Sequence, residues 1–214
     1  MRISTLIVLL VPFFGLSQIT PEEVIDKAVN YHDPEGMWPS MSKTFEFSET
    51  RPSGPDRTST MILDNSKSYV RIDRNNEEIY EVMGEDAKVL KGDKDSSRGL
   101  MMRNYYLYLW GLPMKLKYDK TPFDNEVKED VVEGVECYIV RVVYEKDTWY
   151  FSFEKSTGKM IQYSFYKDEE AGKGERITLE GEVSFGSFRI PKKRSWYKLP
   201  ENEYLGTDIL DSIK

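Results

Sequence analysis

Apolar positions in this chain recur mostly at every second residue, and two stretches with helical spacing interrupt that rhythm. The first opens at Thr20-Pro21-Glu22-Glu23. Thr20 can cap a helix, Pro21 suits its first position, Glu22 complements its positive end, and Glu23 completes a capping box. Val24, Ile25, Ala28 and Val29 then share one face. The spacing predicts a helix over Pro21–Tyr31, ending before Asp33-Pro34-Glu35-Gly36.

From Lys43 the period is two. Phe45 and Phe47, Thr58–Leu63, Tyr69–Ile72, Ile79–Met83 and Ala87–Leu90 alternate between turn-forming breaks. Short strands at this spacing with no helix between them predict an antiparallel meander. Ser96–Trp110 interrupts it. Ser96 or Ser97 can cap, Leu100 to Trp110 run almost without a polar face, Gly111 fits a left-handed stop, and Pro113 blocks continuation. A helix apolar all round is buried on several sides, so the sheet must curl around it. Strands resume at Val127–Val132 and Val135–Tyr144, and then around Trp149, Tyr163, Ile177, Phe188 and Trp196; the tail from Tyr204 to Ile213 is mixed. Val135–Tyr144, apolar on both faces, reads as a central strand. The pattern predicts one mainly β domain over residues 18–214. Its antiparallel sheet of about ten or eleven strands is strongly curved into an unclosed half barrel, with helices 21–31 and 97–110 on the concave side.

The first seventeen residues read differently. Met1-Arg2 is a positive start, Ile3–Phe14 is largely apolar, and Gly15-Leu16-Ser17 supplies small residues for cleavage before Gln18. This is a signal-peptide layout. The apolar run is short of the ~20 residues that span a bilayer. No Cys follows it to carry a lipid anchor. The expected location is the periplasm or the exterior.

Charge and composition narrow the function mainly by exclusion. A formal net charge of −7 over 214 residues opposes a nucleic-acid groove. One Cys and one His are too few for a disulfide framework or a Cys/His zinc site. Cys137, in a strand-like run, reads as a buried inert thiol, and His32, beside Asp33 at a helix end, as a surface polar residue. Asp73, Glu77 and Glu78, like Asp168, Glu169 and Glu170, read as solvated loop charge rather than a cation site. No nucleophile elbow, P-loop or metalloprotease motif occurs, so neither an enzyme nor a cofactor is expected. What stands out is the aromatic supply, with 14 Tyr and 4 Trp. Tyr105, Tyr106, Tyr108 and Trp110 are expected to face Trp149, Phe151, Phe153, Tyr163, Phe165 and Trp196. Two readings remain open: a filled aromatic core, or a lumen holding an acyl chain.

The order of pieces carries a resemblance. After the capped first helix come Phe45-Glu46-Phe47 and the turn Arg51-Pro52-Ser53-Gly54. Leu109-Trp110-Gly111-Leu112-Pro113-Met114-Lys115-Leu116 closes the second helix, and a hairpin carries Phe153-Glu154-Lys155-Ser156-Thr157-Gly158-Lys159. Pro191-Lys192-Lys193-Arg194-Ser195-Trp196-Tyr197 and Tyr204-Leu205-Gly206-Thr207-Asp208 follow. This resembles DUF6503, a secreted Bacteroidota family of unknown function, and is similar in layout to the periplasmic lipoprotein carrier LolA and its receptor LolB. The resemblance implies a monomer with helices as a lid over an apolar lumen. Its ligand would be hydrophobic, a lipid or a lipoprotein acyl chain, and envelope proteins would be further partners. It implies no cofactor, nucleic acid or integral membrane anchor. The residues expected to line the lumen are Met101, Tyr105, Tyr106, Leu109, Trp110, Leu112, Met114, Trp149, Phe151, Tyr163 and Phe165, with Gly111–Pro113 as the hinge of the lid. The alternative is an extracytoplasmic binding or scaffolding module with a filled core and no lipid ligand.

Overall fold

A computed structural model describes residues 18–214; the signal segment read at residues 1–17 lies outside the described residues. Helix α1, Pro21–His32, starts as its capping box dictates: Thr20 accepts from the Glu23 backbone, and the Glu23 carboxylate accepts from Thr20 N–H. Its stripe of Val24, Ile25, Ala28 and Val29 is buried. A 3-10 turn over Trp38–Ser40 leads into the sheet. The strands are β1 Ser42–Thr50, β2 Arg57–Asp64, β3 Tyr69–Arg74, β4 Glu78–Met83, β5 Asp86–Lys91, β6 Val127–Val132, β7 Val135–Val143, β8 Thr148–Glu154, β9 Met160–Asp168, β10 Lys173–Phe185, β11 Phe188–Leu199 and β12 Glu203–Ile213.

All twelve strands form one antiparallel sheet in the order β5-β4-β3-β2-β1-β12-β11-β10-β9-β8-β7-β6. The sheet is not closed, since β5 and β6 are its edges. Two meanders, β1–β5 and β6–β11, are thus joined by β12, the stretch that the sequence pattern leaves as a mixed tail. Strand β7 is next to an edge rather than central. Its inward Val140 and Val142 are buried, whereas Val143 on the outer face is exposed. Two-sided hydrophobicity here reflects a half-covered outer face, not a central place. Pro191 does not divide β11, because β12 pairs only from Lys193 onward and the missing N–H costs no bond on that side.

Between β5 and β6 the chain crosses the inner face. Helix α2, Ser96–Arg103, continues without interruption into a π-helical turn, Asn104–Tyr108, and then through Leu109 and Trp110 towards α3, Met114–Tyr118. Asp95, rather than a serine, supplies the N-cap by accepting from Arg98 N–H. The helix is not buried all round. Met102, Tyr106, Leu109 and Trp110 face the core, while Met101 is 48 % exposed and Tyr105, Leu107 and Tyr108 are half-buried. Gly111 has no left-handed φ. Its role is clearance, because a Cβ there would lie 2.5 Å from Trp38 Cζ2 and 2.6 Å from the Leu107 carbonyl oxygen.

Candidate ligand-binding site

The antiparallel register sorts the inner face into rows. One row reads Trp149, Phe165, Glu175, Lys198 from β8 to β11, and the next reads Phe151, Tyr163, Ile177, Trp196 and then Gly206 on β12. A third runs from Arg194 through Asp208 and Glu49 to Arg57. Alternation therefore places an aromatic wall beside a band of buried charge.

The helical segment binds to that band through its tyrosines. Tyr105 donates to Asp208 Oδ2 at 2.7 Å, and Trp196 Nε1 donates to the same oxygen at 2.8 Å. Arg51 donates to Asp208 Oδ1 at 3.0 Å. Tyr106 donates to Glu49 and its oxygen accepts from the Ser59 hydroxyl at 2.8 Å, while Arg57 pairs with Glu49 at 2.9 Å. Burial raises the pKa of both phenols, and the neighbouring carboxylates raise it further, so both stay protonated as donors. Arg194 is wholly buried. It donates to the carbonyls of Pro191 and Leu109, each at 3.2 Å, and its guanidinium lies 3.4 Å from the centroid of Trp110. Burial pulls its pKa down. That contact fixes Trp110 against the sheet, and Phe47 closes the other side at 4.7 Å between centroids.

Around the helical segment lies an open groove of about 1230 Å³, bordered by the β8–β11 wing and also by Trp38, Pro39, Asn65, Ser68, Gly84 and Glu85 from the turns of the β1–β5 wing. Tyr105 stacks on Trp196 at 5.7 Å, Tyr108 meets Trp149 edge-on at 5.7 Å, and Trp149 stacks on Phe165 at 4.8 Å. Met101, Leu107, Leu109 and Trp38 extend the apolar lining. Tyr108 and Tyr144 share a hydrogen bond at 2.8 Å, a polar tip on an otherwise apolar wall.

Among the residues expected to line a lumen, Met101, Tyr105, Leu109, Trp149 and Phe165 border this groove. Tyr106, Trp110, Leu112, Met114, Phe151 and Tyr163 are instead packed in the core, each at most 1 % exposed. Tyr106 and Trp110 turn to Phe47 on β1 rather than to the β8–β11 aromatics. Gly111 packs so closely on Trp38 and the Leu107 carbonyl that no side chain fits there. Trp38, Leu107, Lys167, Glu175 and Trp196 also border the groove. For Glu175 a signal existed: it shares the inner face with Ile177, so a carboxylate breaks an apolar row.

His32 is not a surface residue. Its Nδ1 contacts the Arg189 carbonyl at 2.8 Å and its Nε2 accepts from Met160 N–H at 3.0 Å. Only a neutral ring protonated at Nδ1 satisfies both. Burial lowers its pKa to about 4. Asp33 is buried with it, accepting from Met37 and Trp38 N–H at 2.7 and 2.8 Å. Cys137 is a buried free thiol whose pKa burial raises. Glu78 pairs with Arg74 and Arg98, and Glu169 pairs with Arg141. No group of three metal-ligating side chains occurs among the described residues.

The model of DUF6503, a family of unknown function, matches residues 8–211. The chain belongs to the DUF6503 family. No curated protein matches it in sequence. Solved structures do match in fold. A LolA superfamily protein from Nitrosomonas europaea superposes with a TM-score of 0.60 at 8 % identity, over 92 % of this chain and 94 % of that one. A Vibrio parahaemolyticus domain named for outer membrane lipoprotein sorting gives 0.56 at 7 % identity, over 90 % of each chain. A DUF1329 family protein from Desulfovibrio piger gives 0.53 at 10 % identity, over 90 % and 92 %. At such identities the likeness is one of fold: a LolA-like, mainly β, unclosed antiparallel sheet.

Proposed function

We propose that this DUF6503 member is an exported, non-enzymatic protein that binds a hydrophobic ligand, a lipid or a lipoprotein acyl chain, in the groove around its helical segment. The observation that carries the reading is the groove itself, with Tyr105, Tyr108, Trp149, Phe165 and Trp196 along about 1230 Å³. Natural small-molecule sites run to about 1,000 Å³ and present mostly apolar walls with a few polar groups. The LolA-like fold supports the same reading, and the signal-peptide layout of residues 1–17 supports a location in the periplasm or outside. Envelope proteins are its further partners, and it acts as a monomer. The filled core beneath the groove favours a second reading, a binding or scaffolding module without a lipid. A fluorescent fatty acid separates them. The ligand reading expects saturable binding, competed by unlabelled fatty acid, and lost in Leu107→Glu. Leu107 is half-buried on the groove, so the variant folds with a near-normal thermal midpoint. Absence of saturable binding by the wild type sinks the ligand reading and leaves the module.

A further inference from the structure

The charged groups around the groove divide into engaged and free. Asp119 is held by Lys115 at 2.7 Å, Asp147 by the Trp149 indole at 2.7 Å, and Glu85 by Arg103 at 3.1 Å. Lys198, the cross-strand partner of Glu175, reaches Glu201 and Glu203 instead. That leaves Glu175 and Lys167, which both border the groove. Neither makes a side-chain hydrogen bond or an ion pair within 4 Å among the described residues. Glu175 is half-buried, stands directly opposite Phe165 in the register, and shares its face with Trp149 and Trp196. Burial raises its pKa, and the field of Lys167 acts against that rise.

A half-buried carboxylate without a partner is costly unless something cationic completes it. Flanking aromatic faces suit an ammonium, which their quadrupoles attract. A lone ammonium would also be repelled by Lys167, which is exposed on the same rim and makes no ion pair within 4 Å among the described residues. A ligand carrying both signs close together satisfies both side chains at once. We propose, resting on the apolar-ligand reading above, that the groove selects amphiphiles with a zwitterionic head group. The ammonium lies against Glu175 and the Trp149, Phe165 and Trp196 rings, the anionic group lies at Lys167, and the tail lies along Leu107, Leu109 and Met101. Charge complementarity at two free side chains singles out this occupant over a neutral or singly charged one.

The test uses four amphiphiles with the same twelve-carbon tail, each titrated below its micelle concentration and followed by tryptophan fluorescence and calorimetry. They are dodecylphosphocholine, dodecyltrimethylammonium, dodecyl sulfate and dodecyl maltoside. Dodecylphosphocholine is expected to bind tightest, about thirtyfold tighter than the maltoside, the lower end for one charged hydrogen bond from Lys167 to the phosphate plus a cation–π contact of the choline. Glu175→Gln and Lys167→Gln should each remove most of that preference with the fold intact, and Glu175→Gln, which removes the cost of the unpartnered carboxylate, should have a thermal midpoint equal to or above that of the wild type. Equal affinity for all four amphiphiles, equal affinity for the ammonium and the phosphocholine, or a preference that survives Glu175→Gln overturns the zwitterion assignment and leaves apolar binding standing. If none of the four binds, the apolar-ligand reading itself falls, and this inference with it.

Discussion

Asp208 holds two elements together, and its removal has a size that can be worked out. The carboxylate accepts from Tyr105 on the helical segment, from Trp196 on β11 and from Arg51 beyond β1, and it is 2 % exposed. In Asp208→Ala the Tyr105 hydroxyl and the Trp196 indole lose their acceptor within a wall that water reaches poorly. Leaving each such donor unmade costs ~1–3 kcal/mol. Arg51, with 22 % of its side chain exposed and a second bond to the Thr50 carbonyl, contributes less than ~1 kcal/mol. Relief from burying a carboxylate offsets part of the total. The net expectation is a loss of about 3–4 kcal/mol, or roughly 10 °C in thermal midpoint for a domain of this size. Asp208→Asn keeps one acceptor oxygen for Tyr105 and Trp196 and should lose about half as much. Urea unfolding followed by tryptophan fluorescence measures both variants. In the Asp208→Ala background, Tyr105→Phe should cost nothing further, because its partner is already gone. A loss below ~1 kcal/mol for Asp208→Ala, or full additivity with Tyr105→Phe, would refute the claim that this carboxylate ties the helical segment to the sheet.

His32 makes stability depend on acid. Its folded pKa of about 4 lies below the ordinary value of 6.5, so the unfolded chain binds the extra proton first. Its contribution is complete above pH 6.5 and is lost as pH falls towards 4, with a limit of roughly 3 kcal/mol. His32→Gln should flatten the stability–pH curve in that window, and an unchanged slope would contradict the buried neutral ring. Gly111→Ala should destabilise by more than ~2 kcal/mol, since the new methyl meets the Leu107 carbonyl as well as the Trp38 ring. A neutral outcome in thermal unfolding would show that the turn has slack to take the methyl.

Local order was legible in the sequence wherever a residue's environment is fixed by its near neighbours. The α1 capping box, the alternation of Phe45 and Phe47, and the Trp149–Phe151–Phe153 run each carry their own signal, and together they specify a curved antiparallel sheet. What escaped depends on partners far along the chain. His32 looks polar because its two partners, Arg189 and Met160, lie more than a hundred residues away. The run Tyr204–Ile213 looks mixed because it interleaves apolar Leu205 and Leu210 with Thr207 and Asp208, whose partners come from β11 and the helical segment. The aromatics divided along the same line. Periodicity collected them, but the side of the helix each one faces decides whether it meets the groove, as Tyr105 does, or Phe47, as Tyr106 does.

The place of β12 has a consequence for how the molecule comes into being. Each wing is a run of neighbouring hairpins, so most of its pairings are local and can form as soon as its own residues emerge. The seam between the wings cannot. The strand that closes it is synthesised last of the twelve, and until it arrives β1 and β11 each present an open ladder of backbone donors and acceptors. Glu49 and Arg194 also wait for Asp208, the residue that stands between them in the finished row. Until that final strand is in place the two half-sheets share no strand pairing, and its insertion between them makes one sheet. A chaperone that shields strand edges would have most to do in that interval.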